Sequence, residues 1–93
     1  MRKIERSTAF KRDYKREKKG QYGRRLDDLF IPILAALAND TPLPELYKDH
    51  PLKGEWKGYR DCHVKPDLLL IYIKPDSETI ELTRLGSHTE IFG

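Results

Sequence analysis

A single cysteine, Cys62, stands among the 93 residues, so no internal disulfide can form and a disulfide-stapled secreted fold is excluded. No apolar run approaches the ~20 residues that a bilayer-spanning helix needs. The longest stretch, residues 26–38, is interrupted by charges and by Pro32. The basic residues near the start are not followed by an apolar segment, so a secretory signal is not expected. Glycine-rich phosphate loops, GxSxG and HExxH are all missing. These absences point to a reducing compartment, most simply the cytoplasm, with no membrane association and no resident cofactor.

What is present is charge. The charged fraction, 35%, nearly equals the hydrophobic fraction, 38%. One domain spanning 1–93 is expected, with a small core under a large polar surface and little margin of stability without a partner. The net charge of +3 conceals an asymmetry. Residues 1–25 hold 11 Lys and Arg against 3 Asp and Glu, a balance of +8, while the rest hold 7 against 12, a balance of −5. A basic segment on a folded domain suggests a polyanionic partner, although a solvated helix face explains most charge runs.

Residues 3–5 suit a short strand. Ser7 or Thr8 can cap a helix that runs to about Lys19, with Gly20 as its stop. Leu26, Leu29, Phe30, Ile33, Leu34 and Leu37 repeat at helical spacing and predict a second helix, kinked at Pro32. A long proline-containing connection over residues 40–55 follows. Beyond it the period becomes two, and strands are expected over 56–64, 68–74 and 79–85. Pro66-Asp67 and Pro75-Asp76 mark the reversals, which makes an antiparallel meander. The middle strand is apolar on both faces and should be central. The fold class is therefore α+β, with two N-terminal helices packed on a small, mainly antiparallel sheet.

All three histidines, His50, His63 and His88, fall in the C-terminal half. On a strand, Tyr59, Asp61 and His63 share one face, and Arg60, Cys62 and Val64 share the other. Asp67, at the adjoining turn, is expected near His63. A histidine beside a carboxylate suits proton transfer near neutral pH. RNA cleavage needs such groups and no protein nucleophile, because the 2′-OH attacks; it also needs cations for the phosphorane charge. Lys48, Lys53, Lys57, Arg60 and Arg84 are candidates for that last role. Tyr47, Trp56, Tyr59 and Phe92 offer surfaces for an unstacked base. Blander readings compete: Trp56 and Tyr72 as core, Cys62 as a small buried hydrophobe, and each histidine alone as structural. A zinc site built from the histidines with Asp61 or Asp67 is disfavoured by spacings of 13 and 25 residues, which match no compact ligand pattern. The residues by themselves give a basic α+β nucleic-acid binder with some features of a nuclease.

The segment from Leu43 to Asp67 follows the pattern DHPL-x-G-x-W-x-G-x-RD-x-H-x-x-PD, and the ending from Thr83 follows G-x-H-x-x-x-F-G. Both resemble the YafQ branch of the RelE/ParE toxin superfamily; the N-terminal half matches only in helix layout and basic character. The resemblance implies a RelE-like fold and a metal-independent, ribosome-dependent endoribonuclease that cuts mRNA in the A site. It also implies a cognate DinJ-like antitoxin bound as a hetero-oligomer. Carried over by motif position, His50, His63, Asp67 and His88 form the catalytic group, with Asp61, Arg84 and Phe92 in support. His88 is then the general acid, and either His50 or His63 the base. Lys48, Lys53, Trp56, Lys57 and Arg60 are the expected RNA contacts. The basic N-terminal segment becomes a surface for ribosomal RNA or antitoxin. Two alternatives remain at this level: a ParE-like toxin acting on a protein such as gyrase, and a basic ribosome-binding module without catalysis. One local feature resists the alternation rule, since Arg84 follows two core positions, Ile80 and Leu82. Either the last strand ends near Thr83 or a bulge at Gly86 turns the chain.

Overall fold

A computed structural model describes residues 1–93. Its elements run β1 (Lys3–Arg6), α1 (Thr8–Lys18), α2 (Leu26–Ala38), β2 (His50–Pro51), β3 (Arg60–Lys65), β4 (Leu68–Ile73), β5 (Thr79–Gly86) and α3 (His88–Phe92). Single 3₁₀ turns at Glu45–Tyr47 and Gly54–Trp56 flank β2. The five strands form one sheet in the order β1-β5-β4-β3-β2. The three later strands pair antiparallel, as their Pro-Asp turns predict, whereas β1 pairs parallel with β5. No helix is long and apolar enough to cross a membrane.

Ser7 caps α1 through its hydroxyl, which accepts from the Phe10 N–H, and the same hydroxyl donates to the Thr83 carbonyl of β5. α2 runs without a break through Pro32, and its apolar positions Leu26, Phe30, Ile33 and Leu37 are buried. Phe10 of α1 joins them, and together they cover one face of the sheet through Cys62, Val64, Leu68, Leu70, Tyr72, Ile80, Leu82 and Leu85. Burying such side chains contributes about 1.5–3 kcal/mol each, which makes this layer the main source of stability.

Three expectations need correction. β3 begins at Arg60, not at Trp56, because Gly54 and Gly58 adopt φ values of +67° and +95° that no strand can accommodate. The irregularity in β5 is neither a strand end at Thr83 nor a bulge at Gly86. Ile71 pairs with Arg84 and Tyr72 with Leu82, so Thr83 is the extra residue, and the slip lets Leu82 and Leu85 both face the helices. Finally, the two N-terminal helices are not the only ones packed on the sheet. Leu69 and Ile71 pack on the opposite face against Ile91 of α3, with Leu52, Trp56, Tyr59 and Phe92 around them.

Candidate active site

Alternation along β3 divides the strand's labour. Cys62 and Val64 enter the helix-side core, while Asp61 and His63 line a cavity of about 650 Å³ on the other face. β2 contributes His50, paired directly opposite Asp61. The β3–β4 turn contributes Pro66 and Asp67, and α3 contributes His88, Thr89 and Phe92. All four residues expected to be catalytic thus border one cavity, and so do Asp61 and Phe92.

Asp61 is the centre of this arrangement. Its side chain is withdrawn from water, its Oδ2 lies 3.7 Å from His50 Nε2, and its Oδ1 has no hydrogen-bond partner. Burial pushes the carboxyl above the usual carboxylate range, opposed by the charges of His50, His63 and His88. The His50 ring is held from its other side: Nδ1 lies 2.7 Å from the Lys48 carbonyl. A carbonyl can only accept, so Nδ1 carries a hydrogen and Nε2 is the atom left to exchange a proton in the cavity. The His50 and His63 ring centroids are 6.3 Å apart.

His88 opens α3, which exists because Ser87 and Glu90 form a capping box. The Ser87 hydroxyl accepts from the Glu90 N–H at 3.1 Å, and the Glu90 carboxylate accepts from the Ser87 N–H at 2.8 Å. The imidazole of His88 packs on Phe92 at 5.0 Å between centroids. Phe92 in turn meets Trp56 edge-on, and Trp56 meets Tyr59 likewise. Trp56 therefore supports the wall that carries Phe92. Gly86, just before, is closely covered: a Cβ there would lie 2.7 Å from an Arg16 guanidinium nitrogen and 3.1 Å from the Glu90 carboxylate, so both side-chain ends would have to move aside.

Other expected residues are placed differently. Asp67 borders the cavity but has no histidine partner; it accepts from Gln21 at 2.8 Å and from Tyr22 at 2.6 Å, both in the connection between α1 and α2. Those two bonds hold its carboxyl below the usual range. Arg84 does not reach the cavity, because its guanidinium is committed to Asp13 of α1 at 2.6 Å. Arg60 likewise turns to the helix side and pairs with Asp49. Lys48, Lys53 and Lys57 are exposed and in no ion pair. Lys65 was missed by the sequence reading. It joins Lys48 in a second cavity of about 300 Å³ that shares His63 and Pro66 with the first. Alternation along β3 does not find it, because the register slips between His63 and Lys65 and pairs Lys65 with Leu68 of the helix-side core.

No three His, Cys, Asp or Glu side chains are placed to hold one metal ion. The arrangement suits proton transfer: three imidazoles around a buried carboxylate, open to a ligand, with an aromatic wall and with Lys48 and Lys65 in the adjoining cavity. No basic side chain of α1 lines this cavity, although Arg16 reaches round to Glu90 of α3 at 3.4 Å.

Over residues 2–93 the chain matches the family described as a bacterial toxin of type II toxin-antitoxin systems, YafQ. It is 41% identical over 92 residues to the mRNA interferase toxin YafQ of Escherichia coli strain K12, covering 99% of this chain and 97% of the relative. Among solved structures, YafQ in the E. coli DinJ–YafQ complex superposes with a TM-score of 0.79 at 41% identity, covering all of both chains. A metal-bound toxin from Helicobacter pylori gives a TM-score of 0.82 at 43% identity, over 99% of this chain and 100% of that one.

Proposed function

The chain belongs to the YafQ family of type II toxin-antitoxin toxins, and on that premise we propose that it is an mRNA interferase that cleaves mRNA in the ribosomal A site. The observation that carries the reading is the gathering of His50, His63 and His88 around buried Asp61 in one open cavity. In this reaction the 2′-oxygen of the scissile nucleotide attacks phosphorus while its proton passes to a histidine. The bond to the 5′ oxygen breaks, and that oxygen leaves with a proton from a second histidine. The products are a 2′,3′-cyclic phosphate and a 5′-hydroxyl.

The geometry favours His50 as the base. Its Nε2 faces the cavity, and Asp61 stands beside it to balance the charge that the ring gains. His88, exposed at the start of α3, is the acid. Lys48 and Lys65 of the adjoining cavity, helped by the exposed Lys53 and Lys57, offset the charge on the phosphorane, and Phe92 gives a displaced base a stacking surface. Arg60 and Arg84 have no direct part, because their guanidinium groups are already paired with aspartates. Such chemistry needs no Lewis acid.

A DinJ-like antitoxin neutralises the toxin in a hetero-oligomer, by analogy with the E. coli complex. The ribosome is the proposed working partner, which places the protein in the cytoplasm, and the exposed basic face of α1 is the surface offered to ribosomal RNA or antitoxin. Primer-extension mapping on a translated message tests the reading. Discrete cuts are expected with the wild type and none with a 2′-deoxy residue at the scissile position; ribosome binding without cuts would overturn it. Chelation with EDTA, with the ribosomes kept intact, is expected to leave cleavage unchanged.

A further inference from the structure

The cavity uses only one face of the β2–β3 pair. On the opposite face, Asp49 and Arg60, each one residue before a cavity residue, meet in a second ion pair. Asp49 Oδ1 accepts from Arg60 Nε at 3.2 Å and from the Tyr72 hydroxyl at 2.6 Å, and Oδ2 accepts from a second Arg60 nitrogen at 3.3 Å. Tyr72 is fully buried in the helix-side core, and burial first, then Asp49, pushes its hydroxyl well above the usual tyrosine range. It is therefore a fixed donor. Asp49 and His50 are thus held back to back, the first on the core side of the sheet and the second against Asp61.

β2 needs such an anchor. It is two residues long, lies at the sheet's edge between two 3₁₀ turns, and follows Lys48 in a left-handed conformation at φ 50°. A ladder of two residues fixes little by itself. The Lys48 carbonyl that orients the His50 ring belongs to the peptide joining Lys48 to Asp49. We propose that Asp49, clamped by Arg60 and Tyr72, is a positioning residue that sets both the place of His50 and the orientation of its ring. The inference rests on the reading of His50 as general base, and it gives Arg60 a task other than RNA contact.

The test uses the full chain with ribosomes and translated mRNA. Asp49→Asn is expected to lower kcat about tenfold with KM little changed, since displacing a catalytic group by even an ångström is costly. Tyr72→Phe, which keeps the ring in the core, is expected to act in the same direction but less, and covers the case in which Asp49→Asn fails to fold. Nitrogen-15 NMR of the imidazoles supplies the second readout. His50 should lose its single Nδ1–H tautomer in either variant, while His88 keeps its wild-type signals. On a His50→Ala background, Asp49→Asn should cost nothing further. An equal loss on that background, or an unmoved His50 tautomer, would overturn the proposal. Wild-type cleavage by His50→Ala alone would instead reject His50 as base, with the NMR readout still deciding whether the clamp orients the ring.

Discussion

Asp13 and Asp61 are both almost wholly withdrawn from water, 1% and 4% exposed, yet their surroundings treat them in opposite ways. Asp13 joins α1 to the end of β5. Its carboxylate accepts from Arg84 at 2.6 Å, from Arg16 at 3.1 Å and from the Leu85 N–H at 3.0 Å, so no oxygen lacks a partner. Asp61 has one distant histidine on Oδ2 and nothing on Oδ1. Burial raises both carboxyls. For Asp13 the rise is outweighed by the hydrogen bonds from Arg84 and Leu85 and by the charges of Arg84 and Arg16, so its value falls below the usual range. For Asp61 burial wins. A carboxylate of the scaffold is stabilised as an ion, and a carboxylate of the candidate site is left under-satisfied beside its histidine.

This contrast fails if a cavity residue carries stability or a scaffold residue carries chemistry. The largest effect is expected at His88. His88→Ala should lower cleavage of a translated message about a thousandfold, within the range of general acid catalysis. Its stability, measured by urea unfolding, should stay within about 0.5 kcal/mol of wild type, because the side chain is exposed. Asp13→Asn should do the reverse. Removing one partner from a buried ion pair costs about 3 kcal/mol, read as a lower urea midpoint, with little change in the cleavage rate of the molecules that remain folded. A large loss of rate without loss of stability would place Asp13 in the chemistry and end the distinction.

The division between these regions was partly legible in the sequence. Alternation along β3 is a local property, and it separated Asp61 and His63 from Cys62 and Val64 with no knowledge of the rest of the fold. Helical spacing similarly found the buried face of α2. The long-range partnerships were not legible. Nothing in the neighbourhood of Asp67 indicates Gln21 and Tyr22, and nothing near Arg84 indicates Asp13, because each pair is created by the packing of α1 and its connection onto the sheet. The bulge at Thr83 is a property of strand pairing, which a single strand does not encode. α3 was overlooked although Ser87 and Glu90, three apart, carry a capping-box signature; five residues are too few to show a period.

Asp61 sharpens the comparison through pH. Its folded-state pKa is raised, so its contribution to stability is in place below the unfolded value and is lost as the pH rises through the folded one. At neutral pH the ionised group therefore opposes folding. Asp61→Asn should raise the stability at pH 7 by about 1 kcal/mol while lowering cleavage, and this gain should shrink as the pH falls through the raised folded value and be gone below the usual carboxylate range. Asp13 has the opposite sign: its stabilisation is present above the unfolded value and is lost as the pH falls through the lower folded one. Urea melts between pH 3 and pH 7 check both. A destabilised Asp61→Asn at neutral pH would mean that Asp61 is paired as completely as Asp13.

Asp67 is the intermediate case, and the smallest effect is expected there. It borders the cavity as Asp61 does, yet it is held by two neutral donors from the α1–α2 connection, as a scaffold carboxylate would be. Tyr22→Phe removes the shorter of those bonds and leaves the ring. The Asp67 carboxyl, now held low by Tyr22 first and Gln21 second, should titrate closer to the ordinary carboxylate value in carbon-13 NMR. If Asp67 only anchors the turn beside His63, cleavage should change by no more than about twofold, as expected for an exposed hydrogen bond. A loss of tenfold or more with stability intact would show that Tyr22 aims Asp67 at the substrate. Asp67 would then belong with Asp61 among the carboxylates that the fold holds ready for chemistry.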